Sequence, residues 1–167
     1  FRRVLFRSRA ISLSEKRVAE LQADRKTMAD EAEFGSMLIE QPMTGGARAF
    51  QVIESRAFAK ARPQCRIATQ SGPMLVIRNR INPIFIVGST DKTRRSGVGI
   101  CSGGAIRFAV SEDAVNFHDF AKLFRDHLQC PNALFLDGGG GAGIYVPALG
   151  RNDVSWHGGY GPIFGLI

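Results

Sequence analysis

Short β-prone runs separated by Gly- and Pro-containing turns recur from Phe50 to the end of the chain, and they limit the folds open to it. The runs are Phe50–Ile53, Arg66–Thr69, Met74–Ile77, Ile84–Val87, Val98–Cys101, Ile106–Val110, Ala133–Leu136, Ile144–Val146 and Ile163–Leu166. They are strand-sized and rich in branched and aromatic residues, which fit a pleated, half-buried surface. Only one strong helical pattern stands among them. Phe117, Phe120, Leu123, Phe124 and Leu128 recur at three- and four-residue spacing, so they share one face of a helix spanning Phe117 to Leu128 that packs on a sheet. Asn116 is its natural cap. His118, Asp119, Lys122, Arg125, Asp126 and His127 fall on its other faces. Glu54 to Lys60 gives one further short helix. Strands outnumber helices too far for a doubly wound fold. The expectation is an α+β fold: a mixed, mostly antiparallel sheet with few helices, forming an incomplete domain.

The segments ahead of Phe50 have a different texture. FRRVLFRS, Phe1 to Ser8, agrees at all eight residues with an in-frame translation of the end of a common short-read sequencing adapter. These residues are therefore expected to have no counterpart in the natural protein, whose gene would begin further upstream. Leu13 to Phe34 is rich in Glu, Lys, Arg, Ala and Leu, with a thin apolar stripe of Leu13, Val18, Leu21 and Met28. Ser12 or Ser14 caps it, Gly35 stops it, and it reads as a solvated surface helix. Gln41 to Gly46 reads as a loop. The chain thus divides into an adapter-derived 1–8, a helical and loop segment of uncertain native status at 9–46, and a module at 47–167.

A formal charge of +7 raises the question of nucleic acid, but its distribution argues against it. Arg2, Arg3, Arg7 and Arg9 crowd into the start, whereas from Ile67 onward nine basic side chains face seven acidic ones. No basic stripe interleaved with aromatics occurs there. With 44% hydrophobic residues the chain is globular, yet no stretch approaches the roughly 20 consecutive apolar residues of a membrane helix. Cys65, Cys101 and Cys130 lack the close pairing of a zinc site and read as three separate thiols, with one disulfide plus a spare thiol as the alternative. No cofactor motif is present, and participation of a divalent metal stays open.

Three polar, Gly-containing segments interrupt the β runs and are the places to look for chemistry. In Ala68–Met74 the Gly72-Pro73 bend projects Gln70 and Ser71. Between Ser89 and Gly99, hydroxyls and guanidinium groups precede a strand, and Arg95 suits an anion. In the third, Asp137 ends an apolar strand and is followed by Gly138–Gly141, where backbone and ligand approach closely. A carboxylate at the end of a buried strand is costly unless paired or used. No Gly-Lys-Ser/Thr follows, so this is not a nucleotide phosphate loop. Glu112, at the end of another strand, supplies a second carboxylate, and two carboxylates divide acid, base or nucleophile roles in glycosidic cleavage. His157, beside Trp156 and Gly158-Gly159, reads as a surface residue. G-x-S-x-G is absent.

Taken in order, ATQSGPMLV (Ala68–Val76), Arg95-Ser96-Gly97-Val98-Gly99, FAVSEDAVNFHDFAKLFRD (Phe108–Asp126), CPNALFLDGG (Cys130–Gly139), YVPAL (Tyr145–Leu149) and Gly161-Pro162 resemble the bacterial domain of unknown function related to phosphodiester glycosidases. That family includes the mammalian enzyme that uncovers mannose 6-phosphate on lysosomal proteins. The resemblance covers about Phe50 to Ile167. It implies hydrolysis of a sugar-1-phosphodiester at the glycosidic bond, in glycans of the envelope or the exported kind, by a hydrolase that is periplasmic or secreted. Carried over, Asp137 is the leading catalytic carboxylate and Arg95 holds the anion. Gln70, Ser71, Gly72, Ser89, Thr90, Glu112 and Gly138 line the pocket. Two departures stand out. The Asn-Gly-rich amino-terminal half of the family is not found in Arg9 to Gly46, so the chain reads as a fragment that need not be active alone. Gly138–Gly141 also lacks the hydroxyl residues of the glycosidases. The alternative expectation is therefore a non-catalytic glycan-binding or envelope-structural module.

Overall fold

The computed structural model describes residues 36–44, 48–153 and 164. Its centre is a five-stranded sheet in the order β5-β4-β8-β6-β7. The strands are β4 (Met74–Ile77), β5 (Arg80–Ile81), β6 (Arg95–Ile100), β7 (Ile106–Val110) and β8 (Asn132–Gly138). A three-stranded sheet, β2-β1-β3, comprises β1 (Ser36–Pro42), β2 (Arg48–Glu54) and β3 (Ile67–Ser71). A short pair, β9 (Tyr145–Val146) and β10 (Arg151–Asn152), follows β8. Besides short 3-10 turns, two α-helices interrupt the strands: α1 (Ser55–Ala61), and α2 (Phe117–Lys122), which continues as a π-helical turn over Leu123–His127. Every strand pair among the described residues is antiparallel, so the sheet is not mixed and the α+β class holds.

The central position of β8 follows from its sequence. Ala133-Leu134-Phe135-Leu136 is apolar without alternation, as a strand covered on both faces must be. On one face Ala133 joins Leu75, Val76, Phe120, Ala121 and Phe124 under α2. On the other, Leu134 meets Met74 and Val98 together with Leu38 and Val52 of the three-stranded sheet. That second layer has its own small core, in which Ile39, Phe58 of α1 and Ala68 are fully buried. The helix lies close because β6 carries glycine beneath it. A Cβ at Gly97 would sit 3.1 Å from the Phe124 ring, and one at Gly99 would sit 2.8 Å from it and 2.7 Å from Cys130 Sγ. Gly99→Ala is accordingly expected to destabilise the fold by about 1–3 kcal/mol, the usual cost of overpacking. Urea unfolding would register it as a lower midpoint with an unchanged slope.

Sequence expectations and structure part company in several places. Ser36–Pro42 is a strand paired with both β2 and β3, so Gln41 and Pro42 close β1 and are not loop. Buried Ser36 and Glu40 interrupt its apolar pattern, and Glu40 is satisfied by two bonds from Arg66, at 3.0 and 2.7 Å. Ile84–Val87 is not a strand. Asn82 bends the chain there, donating from its side chain to Met74 O and accepting from Ile84 N, and Pro83 supplies no ladder donor. Phe85 turns inward to stack on Phe117 at 5.0 Å, leaving Ile84, Ile86 and Val87 exposed. The expected helix after Asn116 forms, and Asn116 caps it by accepting from Asp119 N at 2.8 Å.

The three cysteines are not separate thiols. Cys101 and Cys130 form a disulfide, and Cys65 is free, its thiol pushed up by burial. The pairing follows from register: Ile100 lies opposite Asn132, which brings the ends of β6 and β8 together. The expectations for Phe1–Ser8, for the helix at Leu13–Phe34, for Trp156 and His157, and for Gly161-Pro162 fall outside the described residues. So does the strand at Ile163–Leu166 apart from Phe164, whose ring packs against Phe108 at 5.4 Å.

Candidate active site

Antiparallel pairing gathers the polar segments at one end of the five-stranded sheet. Asp137 lies at the carboxyl end of β8, opposite Ser96 near the amino end of β6, and Ser96 lies opposite Val110 at the carboxyl end of β7. On the other side of β8, the turn through the cis Gly72-Pro73 bond packs directly: Pro73 O accepts from Phe135 N, and Ser71 Oγ donates to Leu136 O at 3.0 Å. Ser71, Gly72, Arg95, Glu112, Asp137 and Gly138 thus share one rim although they are widely separated in sequence.

Asp137 is fixed through its backbone. Ser96 Oγ donates to Asp137 O at 3.0 Å and accepts from Asp137 N at 3.1 Å. The carboxylate is exposed, so the reasoning from the cost of a buried charge does not apply to it. Its Oδ1 accepts from Gly138 N at 2.7 Å. The loop beyond then folds back beside it, and a Cβ at Gly141 would sit only 2.8 Å from Asp137 Cγ and closer still to Oδ2. Glycine at 141 is therefore required for the carboxylate to keep its place. Gly138 and Gly139 lie against the Thr93-Arg94 segment, and Gly139 N donates to Arg94 O at 2.7 Å.

Arg95 shares this rim but points beneath it. Its side chain is 4% exposed, with Nε donating to Val115 O at 2.8 Å and Nη2 meeting Asp91 Oδ2 at 3.5 Å. The guanidinium lies 3.6 Å from the centre of the Phe117 ring, a cation–π stack, and 5.8 Å from that of Phe135. Burial pulls its pKa below that of a free guanidinium, against the pull of Asp91. Ser89 and Thr90 stand over the start of α2. Ser89 O accepts from the Asn116 side chain at 3.2 Å, Ser89 Oγ accepts from Asp91 N, and Thr90 is exposed. Gln70 donates to Ser55 Oγ at 3.2 Å, at the base of α1. Glu112 is not in contact with Asp137. It accepts from Arg151 Nη2 at 2.6 Å, and that hydrogen bond holds its carboxyl below the usual range.

Sequence reasoning passed over a cluster beside this rim. Asp153 accepts from Arg94 Nη2 at 2.5 Å, Arg151 Nε at 2.6 Å and Ile144 N at 3.0 Å. Partial burial pushes its carboxyl up, but the bonds from Arg151 and Arg94 and the Ile144 amide outweigh that and hold it below its ordinary value. One local signal was available, since residues two apart on extended chain share a face, and Arg151 opens the short β10 while Asp153 directly follows it. Because the folded carboxyl is depressed, its contribution to stability is complete above the unfolded value and is lost as pH falls through the folded one. Urea unfolding of wild type and Asp153→Asn is thus expected to show a stability gap near pH 7 that narrows towards pH 3. Among the described residues no three His, Cys, Asp or Glu side chains converge as a metal site would require.

The sequence model of the family described as phosphodiester glycosidase matches residues 18–161. The uncharacterised protein YigE of Escherichia coli K12 is 38% identical over 87 residues, which are 52% of this chain and 34% of that protein. Among solved structures, the catalytic domain of zebrafish N-acetylglucosamine-1-phosphodiester alpha-N-acetylglucosaminidase is similar at a TM-score of 0.47 and 19% identity, over 66% of this chain and 41% of that one. A hypothetical protein from Synechocystis is similar at a TM-score of 0.42 and 22% identity, over 62% of this chain and 21% of that one. The chain thus spans about a third of YigE's length. With the family's sequence pattern running through both sheets and the rim that carries Asp137, the chain belongs to the phosphodiester glycosidase family.

Proposed function

We propose that the protein hydrolyses a sugar-1-phosphodiester at its glycosidic bond, with Asp137 as the leading catalytic carboxylate. The observation that carries this is the Asp137 carboxylate itself: exposed at the end of the central strand, held by Gly138 N, and bordered by a loop with glycine where a side chain would displace it. Glu112 is the second carboxylate, and Ser71, Gly72 and Gly138 line the rim beside it. Ser89, Thr90 and Gln70 belong to the surrounding wall. Arg95, enclosed as it is, serves by fixing the loop over Phe117, and we assign it to the anion's surroundings through that loop. The substrate class is a phosphorylated glycan of the cell envelope or of exported material. A periplasmic or secreted location agrees with the Cys101–Cys130 disulfide, since such bonds persist in oxidising compartments. No helix among the described residues is long and apolar enough to cross a membrane.

The run Gly138–Gly141 favours a second reading, a module that binds phosphorylated glycan without cleaving it, because it offers no hydroxyl to the substrate. Incubating the full-length protein with a sugar-1-phosphodiester and assaying free reducing sugar separates the two. Time-dependent sugar release is the expected result. Saturable binding with no product over a long incubation would establish the binding module instead.

A further inference from the structure

We infer that Arg151 is the residue that grips the substrate's phosphodiester anion, and that Glu112 occupies that grip until the anion displaces it. The inference rests on the proposed phosphodiester substrate and adds a binding residue to that site. Among the described residues three arginines, Arg94, Arg95 and Arg151, reach the rim, and their surroundings differ. Arg95 is enclosed between Phe117 and the Val115 and Asp91 acceptors. Arg94 is committed on two sides, from Nε to Ser111 O and from Nη2 to the Asp153 carboxylate. Only Arg151 combines a fixed orientation with an outward-facing terminal nitrogen. Its Nε is held by Asp153, a side chain 10% exposed, while its Nη2 meets Glu112, a side chain 67% exposed.

That asymmetry is what an anion site requires. The inner bond to a mostly buried carboxylate sets the plane of the guanidinium, so little further order is lost when a ligand binds. The outer bond is to a solvated carboxylate, and exposed ion pairs of this kind are held weakly against competing anions. A phosphodiester oxygen makes the same charge-assisted contact in a geometry the guanidinium fork suits. The site is also in the right place. Arg94, which shares Asp153 with Arg151, accepts Gly139 N on its carbonyl, and Gly138 and Gly139 directly follow Asp137. Once displaced, Glu112 loses the hydrogen bond that depresses its carboxyl, which returns it towards the ordinary carboxylate range.

The test is calorimetric titration of inorganic phosphate into wild type, Arg151→Gln and Glu112→Gln, each checked for folding by circular dichroism. Arg151→Gln is expected to weaken phosphate about tenfold, the usual loss for one charge-assisted contact. Glu112→Gln is expected to tighten it about threefold, because the occupant of the grip has lost its charge. A purely structural pair moves both variants in the same direction or neither, and either result overturns the inference. So does a wild type that binds no phosphate at millimolar concentration. Where Arg151→Gln does not fold, Glu112→Gln decides alone: tighter binding supports the grip, and equal or weaker binding refutes it. Phosphate binding is read without turnover, so failure of the glycosidase reading would show separately as absence of sugar release.

Discussion

Asp137→Asn is expected to lower kcat/KM towards a sugar-1-phosphodiester by about 10³-fold or more, within the range lost when an acid–base or charge-stabilising group is removed. The same substitution should leave the unfolding transition nearly where it was. Both bonds that anchor this point of β8 to Ser96 use the backbone of residue 137, not its side chain. Asparagine keeps the volume, and its side-chain oxygen can still accept from Gly138 N as Oδ1 does at 2.7 Å. Chemistry and folding are therefore separable here. Steady-state assay of the full-length variant beside its thermal melt makes the measurement. Turnover equal to wild type would remove Asp137 from the mechanism, and a collapsed melt would show that the carboxylate is structural.

Replacing both Cys101 and Cys130 by alanine is expected to cost about 3–4 kcal/mol, the loop-closure entropy restored to the unfolded chain in the chain-entropy model for a bridge of this length. The bridge spans 29 residues, closing a loop that contains β7 and α2. For a domain whose whole stability is of the order of 5–15 kcal/mol, that is a large fraction. The loss should appear as a reduced urea midpoint, and the oxidised wild type treated with a thiol reductant should approach the same value. An unchanged midpoint in the double variant would show that the sheet and helix already restrain this loop without the bond. Activity per folded molecule is expected to survive, because the bridge joins the ends of β6 and β8 opposite to those that carry Ser96 and Asp137.

These two sites divide what could be read from sequence from what could not. Met74–Ile77 and Ile106–Val110 were legible to the residue, and the apolar run within β8 marked it as a buried strand. The helix after Asn116 was legible from the spacing of its aromatic residues and its cap. Asp137 stood out as a carboxylate between an apolar strand and four glycines. Each of these signals lies within a few residues of chain. The errors arose where a local pattern admitted two outcomes. Ile84–Val87 has the composition of a strand, yet Asn82 and Pro83 turn it into a loop pinned by one ring, Phe85 on Phe117. Ser36–Pro42 carries buried polar residues that hide a strand until Arg66 is seen to satisfy Glu40.

The sequence alone determined the principal helix and most of the strands that pack around it, because hydrophobic period, caps and turn residues act over one or two turns of chain. It also determined that the polar segments lie at strand ends. Only the tertiary structure decided which ends meet. That Cys101 bonds Cys130, that Arg95 turns inward onto Phe117, and that Arg94 reaches Asp153 across 59 positions all depend on strand order and register. Those are set by closing long loops and filling both faces of β8 at once, and such long-range terms leave no mark on the residues between.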